Sequence, residues 1–291
     1  MKLQDLIRKG VETISELYPE GEAKEMVFAY LEDTFRFKRY KHVLEPEFEM
    51  DEADVIRATA GFNRMAEGEP LQYVTGKAYF YGREFRVTPD VLIPRQETEL
   101  LIDGLFSAIT PKKILDLCTG SGCIAWTLAL EFPGSHVRAV DISDGALEVA
   151  SRQDFADESA RTGALSPTFV KADVLNGPAP FIEMYGGDKF DVIVSNPPYV
   201  MDKEKAQMRT NVLDHEPHLA LFVPDNDPLI FYRAVASWAS ELLSANGVGI
   251  VEINEALGPE TAQVFKGYGF SQVEVLKDLH DKDRFVKFIK K

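Results

Sequence analysis

From about residue 112 onward, short apolar runs alternate with segments of helical spacing. Five of the runs are KILDLC (113–118), HVRAVDIS (136–143), PTFVKADV (167–174), FDVIVSNPP (190–198) and GVGIVEIN (247–254). Such alternation is typical of a mostly parallel sheet with helices on both faces. Two last runs, FSQVEVLKD and RFVKFIKK, are separated only by LHDKD, which is too short for a parallel crossover. We therefore predict an α/β fold whose seven-stranded, mostly parallel sheet ends in an antiparallel strand pair.

The segment before this alternation has a different character. Residues 1 to about 65 carry apolar side chains at helical spacing and predict a small helical bundle. AYFYGREFRV, with its central Gly, predicts a β-hairpin. Further helices are predicted for ETELLIDGLFSAI (97–109) and GALEVASRQDFADESA (145–160). We expect a helical domain over 1–75, a hairpin linker over 76–94 and the α/β domain over 95–291.

Composition narrows the classes of function. The 291 residues include 32 Lys plus Arg against 47 Asp plus Glu, a formal charge of −15, which disfavours direct binding to nucleic acid. No run approaches the ~20 apolar residues of a membrane-spanning helix, and we expect no membrane partner. With only two cysteines, a disulfide framework is not expected and a reducing cytoplasm fits.

Glycines and acidic residues mark the ends of the first three predicted strands of this sheet. Gly120 and Gly122 follow the first strand and let backbone approach a ligand closely. Asp141, about 20 positions further on, ends the second strand, where an acid can accept ribose hydroxyls. Asp173 ends the third. Each feature alone is equally typical of an ordinary turn, but in this order they indicate an adenosine-containing cofactor, and the missing Gly-Lys-Ser/Thr disfavours ATP.

The stretch SNPPY ends the fourth strand, beside the first strand at the switch point of such sheets. The side-chain oxygen of Asn196 and the backbone carbonyl of Pro197 are both acceptors, and Pro197 and Pro198 hold the backbone rigid. Two converging acceptors orient an NH₂ group, and the ring of Tyr199 can pack on a planar amide or base. A rigid turn is the alternative, but the neighbouring motifs favour a site for a planar amino group.

LDLCTGSGCIA, AVDIS and NPPY in this order resemble class I S-adenosylmethionine-dependent methyltransferases that methylate amino nitrogens. PLQYVTG, FRVTPDVLIPRQETELL, EPHLALF and DRFV resemble the family that methylates the glutamine of class I peptide chain release factors. The resemblance covers nearly the whole chain. It implies a Rossmann-like domain that moves methyl from S-adenosylmethionine, leaving S-adenosylhomocysteine, to the amide nitrogen of the glutamine in a Gly-Gly-Gln motif. It also implies a helical domain that docks the release factor.

The resemblance also assigns residues. The cofactor residues it implies are Cys118, Thr119, Gly120, Ser121 and Gly122, with Asp141 on the ribose, Asp173 and Val174 by the adenine, and Asn196 beside the same site. The glutamine is implied to lie on Asn196, Pro197, Pro198 and Tyr199, with Asn196 and Tyr199 as the catalytic residues.

Three positions depart from the family pattern. Cys118 stands where the family usually has the first Gly of its loop, Gln96 replaces the second Pro of PRPETE, and His215 replaces a frequent aromatic residue. None of them touches the NPPY chemistry. The pair His215 and His218 in HEPH lacks the spacing of zinc-binding helices, so no metal is expected.

Other functions stay open at this stage. A related ribosomal-protein glutamine methyltransferase fits the same motifs. A nucleic-acid adenine N6-methyltransferase shares NPPY, although the net charge disfavours it. A cofactor-binding assembly protein without activity would require NPPY to be vestigial.

Overall fold

Two compact units make up the chain. The computed structural model describes residues 1–106 and 110–291. Unit 1 consists of Met1–Lys77 and Met208–His215, and unit 2 consists of Ala78–Gln207 and Glu216–Lys291. These units differ from the domains predicted from the sequence, because Met208–His215 group with the N-terminal helices. The predicted domain boundaries stay a proposal.

Helices form the N-terminal part of unit 1: α1 Leu3–Ile14, α2 Glu20–Phe35, α3 Lys41–Leu44, α4 Glu52–Ala66 and α5 Leu71–Thr75. Local signals explain where α4 begins, because the side chain of Asp51 caps it by accepting the Asp54 N–H at 2.8 Å. Buried apolar side chains, among them Leu6, Ile14 and Phe62, form the core of the unit. Arg209 lies 3.3 Å from Glu22 and ties the returning segment to α2.

Unit 2 is organised by its β-strands. In chain order the strands are β1 Lys77–Phe80 (whose first residue belongs to unit 1), β2 Arg83–Arg86, β3 Lys113–Leu117, β4 His136–Asp141, β5 Thr168–Lys171, β6 Phe190–Ser195, β7 Val200–Met201, β8 Phe222–Val223, β9 Leu243–Glu252, β10 Ser271–Lys277 and β11 Asp283–Ile289. Seven of them form one sheet in the order β10-β11-β9-β6-β3-β4-β5, while β1-β2 and β7-β8 are separate pairs. Within the large sheet β11 pairs antiparallel with β10 and β9, and the other pairs are parallel. The predicted fold class is therefore confirmed.

The remaining helices complete the element order: α6 Glu99–Phe106, α7 Cys123–Glu131, α8 Asp144–Ser151, α9 Ala156–Thr162, α10 Ala179–Tyr185, α11 Thr210–His215 (in unit 1), α12 His218–Leu221, α13 Ile230–Leu242 and α14 Gly258–Gly267, with short 3-10 helices at Val174–Asn176 and Asp202–Gln207. One buried cluster packs α6 and α7 on the strands, and a second packs α10, α13 and α14. The predicted end of the 97–109 helix lies outside the described residues.

The prediction of a single helix over 145–160 is wrong, because the segment forms two helices, α8 and α9, that are separated by a short non-helical stretch. The side chain of Gln153 accepts the Arg86 N–H at 2.8 Å and donates to the Ser121 carbonyl at 3.0 Å. Phe155 is buried against Phe85, with ring centroids 5.0 Å apart. These tertiary contacts replace the helical hydrogen bonds that the local pattern would otherwise support.

Candidate active site

A cavity of about 300 Å³ lies in unit 2 at the carboxyl ends of the parallel strands. Nine residues predicted for the site line it, namely Cys118, Thr119, Gly120, Ser121, Asp141, Asp173, Val174, Asn196 and Pro198. Gly122, Pro197 and Tyr199 lie outside this lining. The structure thus brings the strand-end residues of four strands to one place, as parallel strand order requires.

The Gly-rich loop joins β3 to α7 and forms one wall of the cavity. Its backbone takes left-handed conformations at Cys118 (φ 62°), Gly120 (φ 54°) and Gly122 (φ 78°). A Cβ built at Gly120 would meet no heavy atom within 4 Å, so its backbone is open to a ligand. At Gly122 a Cβ would lie 3.0 Å from the Cβ of Ala150, so that glycine serves close packing rather than ligand access.

Asp141 is the last residue of β4, and its side chain holds the backbone of the Gly-rich loop and of the turn that follows β4. Its two carboxylate oxygens accept the Gly120 N–H and the Ser143 N–H, each at 2.9 Å. Burial raises the pKa of Asp141, and the backbone N–H groups oppose that shift. A carboxylate has about four acceptor sites, so sites remain beyond these two bonds.

Asp173 and Val174 follow β5 beside the same cavity. The Asp173 side chain caps the short 3-10 helix by accepting the Leu175 N–H at 2.9 Å. Val174 is buried, and its carbonyl accepts the indole N–H of Trp238 at 3.0 Å. Ile142 and Leu175 line the cavity with more than 40% of their surface exposed, which gives it an apolar rim suited to a flat ring.

The NPPY segment leaves the end of β6 next to β3. The buried Ser195 hydroxyl donates to the Leu117 carbonyl at 2.7 Å and holds the two strand ends together. Asn196 is half-buried and lines the cavity, and Pro197 and Pro198 are buried. The Tyr199 N–H donates to the Leu221 carbonyl at 3.2 Å, which fixes the far end of the segment.

Two further residues of this region, Thr98 and Glu252, were not predicted from the sequence. Thr98 precedes α6 and lines the cavity, and Glu252 ends β9; both are buried. The Thr98 hydroxyl lies 2.6 Å from Glu252 Oε2 and 3.3 Å from Asn196 Nδ2, and the Tyr199 hydroxyl donates to Glu252 Oε1 at 2.9 Å. Thr98 lies within the quoted motif FRVTPDVLIPRQETELL, but neither that motif nor the acid at the end of the fifth strand indicated that the two residues meet.

A partly buried ion pair at the cavity was also not predicted from the sequence. Arg95 lines the cavity and its guanidinium lies 2.6 Å from Glu216 Oε1, while Glu216 Oε2 accepts the Ile93 N–H at 3.2 Å. The Glu216 side chain is 1% exposed. Its bonds to Arg95 and Ile93 therefore fix the segment that begins at Glu216, in which Pro217 and Leu219 also line the cavity. Both residues sit in quoted motifs, LIPRQETE and EPHLALF, which was the available signal.

Two comparisons with known proteins bear on this arrangement. A model described as PrmC N-terminal domain matches residues 5–76, and one described as Methyltransferase small domain matches residues 95–219. A release factor glutamine methyltransferase of Flavobacterium psychrophilum is 37% identical over 293 residues, which is 99% of each chain. The chain belongs to the release factor glutamine methyltransferase family.

Other relatives support this membership. The release factor glutamine methyltransferase of Bacteroides thetaiotaomicron is 44% identical over 224 residues, 77% of each chain. That of Bacillus subtilis is 37% identical over 281 residues, 94% of this chain and 92% of its own. The family predicted from the sequence is therefore confirmed, whereas the roles of individual site residues stay predictions.

Within residues 1–106 and 110–291 no helix has the length and apolar character needed to cross a membrane. In the same part of the chain no group of three or more His, Cys, Asp or Glu side chains is arranged to hold a metal ion.

Proposed function

We propose that this chain transfers methyl from S-adenosylmethionine to the side-chain amide nitrogen of the glutamine in the Gly-Gly-Gln motif of class I peptide chain release factors. The observation that carries the proposal is the position of Asn196, a half-buried amide at the cavity beside the Gly-rich loop. Family membership supplies the substrate class. A release factor works in translation, so we propose that the reaction is cytoplasmic.

The cavity residues fit the proposed cofactor. Gly120 presents open backbone, and Asp141 keeps acceptor sites free for ribose hydroxyls. Ile142 and Leu175 offer apolar surface to the adenine ring, next to the half-buried Asp173. A volume of about 300 Å³ lies in the range of small-molecule sites. When bound, S-adenosylmethionine supplies a methyl group on a positively charged sulfonium and leaves as the thioether S-adenosylhomocysteine.

The residues of NPPY would act by orientation and electrostatics. An amide nitrogen is a poor nucleophile, since its lone pair is delocalised into the carbonyl. In the proposed mechanism the Asn196 side-chain oxygen and the Pro197 carbonyl accept the two N–H groups of the substrate glutamine and aim its nitrogen. The same acceptors favour the positive charge that grows on that nitrogen, so no covalent enzyme intermediate is needed. The nitrogen finally loses one proton to solvent.

A labelling experiment tests the substrate. The purified protein is incubated with methyl-labelled S-adenosylmethionine and, in parallel, a class I release factor, its Gly-Gly-Gln→Gly-Gly-Ala variant, and duplex DNA. We expect label on the intact factor alone. Label on DNA would move the substrate to adenine, and no label on any of the three would favour a ribosomal-protein substrate or a binding-only role.

Replacing Asn196 tests the mechanism. The Asn196→Ala variant loses an acceptor that acts on the reacting nitrogen, and we expect its turnover on the release factor to fall by about 100-fold or more. The matched control is Asn226→Ala, which changes an exposed residue away from the cavity lining. Turnover of Asn196→Ala close to that of the control would rule out the proposed role.

A further inference from the structure

Asn196 is the first member of a buried hydrogen-bond network. The network runs from Asn196 Nδ2 to the Thr98 hydroxyl (3.3 Å), from that hydroxyl to Glu252 (2.6 Å), and from Glu252 to the Tyr199 hydroxyl (2.9 Å). Thr98 is 2% exposed and Glu252 is 1% exposed. This hydrogen-bond network therefore connects both ends of NPPY, Asn196 and Tyr199, to one carboxyl group that is buried away from water.

The carboxyl group decides in which direction each hydrogen bond points. An ionised carboxylate only accepts, so both hydroxyls must donate to Glu252. Burial raises the pKa of Glu252, whereas its two hydroxyl partners and the charge of Arg284 favour the ionised form. Burial and the Glu252 charge also raise the pKa of Tyr199, so its phenol keeps the proton that it donates.

This direction fixes the Asn196 amide. The hydroxyl of Thr98 has one hydrogen, and the bond to Glu252 uses it. The free lone pair of Thr98 can then only accept, which selects the NH₂ of Asn196 and leaves its oxygen for the cavity. The flipped amide would set two oxygens against each other with no hydrogen between them, at the cost of an unmade buried hydrogen bond.

We propose that Glu252 is a positioning residue that, through the Thr98 hydroxyl, holds the Asn196 amide with its oxygen toward the cavity and, through the Tyr199 hydroxyl, holds the other end of NPPY. The proposal rests on the proposed function for its consequence in catalysis. It explains why an acid is buried at the end of β9 without a cation within ion-pair distance among the described residues.

The Glu252→Gln substitution reverses one of these hydrogen bonds. The Gln side chain keeps one acceptor oxygen but replaces the other with an NH₂ donor. When that donor faces Thr98, the Thr98 hydroxyl accepts from it and turns its own hydrogen toward Asn196. The Asn196 amide then flips and presents NH₂, rather than oxygen, to the substrate nitrogen.

Steady-state kinetics on the release factor measure this effect. We expect Glu252→Gln and Thr98→Val to lower kcat by about 10- to 100-fold, as small misplacements of an orienting group do. For Glu252→Gln the affinity for S-adenosylmethionine should stay within about twofold of the original, because Glu252 does not line the cavity. Thr98→Ser keeps the hydroxyl and should recover most of the turnover lost in Thr98→Val. The control is Glu255→Gln, an exposed acid three residues further along the chain.

An NMR measurement tests the amide direction without any turnover. In protein with labelled asparagine, assigned through Asn196→Ala, we expect a nuclear Overhauser effect between the Asn196 NH₂ and the Thr98 methyl group. It should be lost or weakened in Glu252→Gln and kept in Glu255→Gln. The absence of this effect in the original protein, or unchanged kcat in a folded Glu252→Gln, would overturn the inference. If the original protein does not methylate the factor, the proposed function fails while the NMR result still decides the positioning role.

Discussion

Three residues of the Gly-rich loop have positive φ angles, and the sequence pattern predicted only part of this. The glycines at 120 and 122 were predicted from their spacing, and both have positive φ. Cys118, which is not a glycine, also has a left-handed backbone, with φ 62°. Burial raises the pKa of its thiol, so the side chain is a neutral, packed group rather than a nucleophile.

The positive φ at Cys118 predicts that a Gly substitution is more stable than an Ala substitution at Cys118 but not at Cys123. A left-handed backbone costs an L-residue about 1 kcal/mol that Gly avoids, so Cys118→Gly should be more stable than Cys118→Ala by about that amount. Cys123 begins α7 and does not have a positive φ, so Gly gains no advantage there and Cys123→Gly should be no more stable than Cys123→Ala. Urea unfolding of the four variants gives both differences, and the same order at both positions would contradict the strain.

The residues that the sequence did not predict owe their position to long-range contacts. NPPY was identified because all its atoms of interest lie within four consecutive residues. Thr98 and Glu252 are 154 positions apart and meet only because α6 begins beside the end of β9. No local pattern encodes such a meeting, so it had to come from the structure.

At the scale of elements, periodicity predicted the sheet but not how tightly its strands pack. The strand types and the antiparallel end follow from run lengths and connection lengths. The break between α8 and α9 does not, because Gln153 and Phe155 are fixed by distant partners. Gly249 is a similar case, since it lies opposite Phe288 in the β9–β11 pair and its missing side chain makes room for that ring.

We expect Gly249→Ala to destabilise unit 2 strongly. A Cβ at Gly249 would lie 2.1 Å from the Phe288 ring, which is fully buried and stacked on Phe265 at 4.1 Å between centroids. Phe265 and Phe270 both pack against this ring, so the free energy of unfolding should fall by about 3 kcal/mol. Gly267→Ala, at the open end of α14, is the control and should leave it equal or slightly higher. A loss of less than 1 kcal/mol at Gly249, on the order of an ordinary surface change, would mean that the ring moves.

At the scale of the whole molecule, an acidic chain of formal charge −15 also buries several of its acids. Glu216 is paired with Arg95, whereas Asp116 at the end of β3 is fully buried with one oxygen unpaired in the described structure. Its other oxygen accepts the Thr119 hydroxyl at 2.6 Å, directly beneath the Gly-rich loop. Neither composition nor spacing distinguishes a buried acid from a surface one, so this feature was not predicted.

The buried Asp116 should contribute a loss of stability as pH rises toward neutrality. Burial raises the pKa of Asp116 from 3.8 to about 7, so between these values the folded chain holds a proton that the unfolded chain has lost. The contribution of Asp116 to the free energy of unfolding therefore decreases by up to about 1.4 kcal/mol per pH unit in this window and levels off above it. Asp116→Asn cannot ionise, so its unfolding free energy relative to the original protein should rise from pH 4 to 7. Urea unfolding across this range measures the difference, and a difference that is flat or grows toward acid would show that Asp116 is ionised in the folded state throughout.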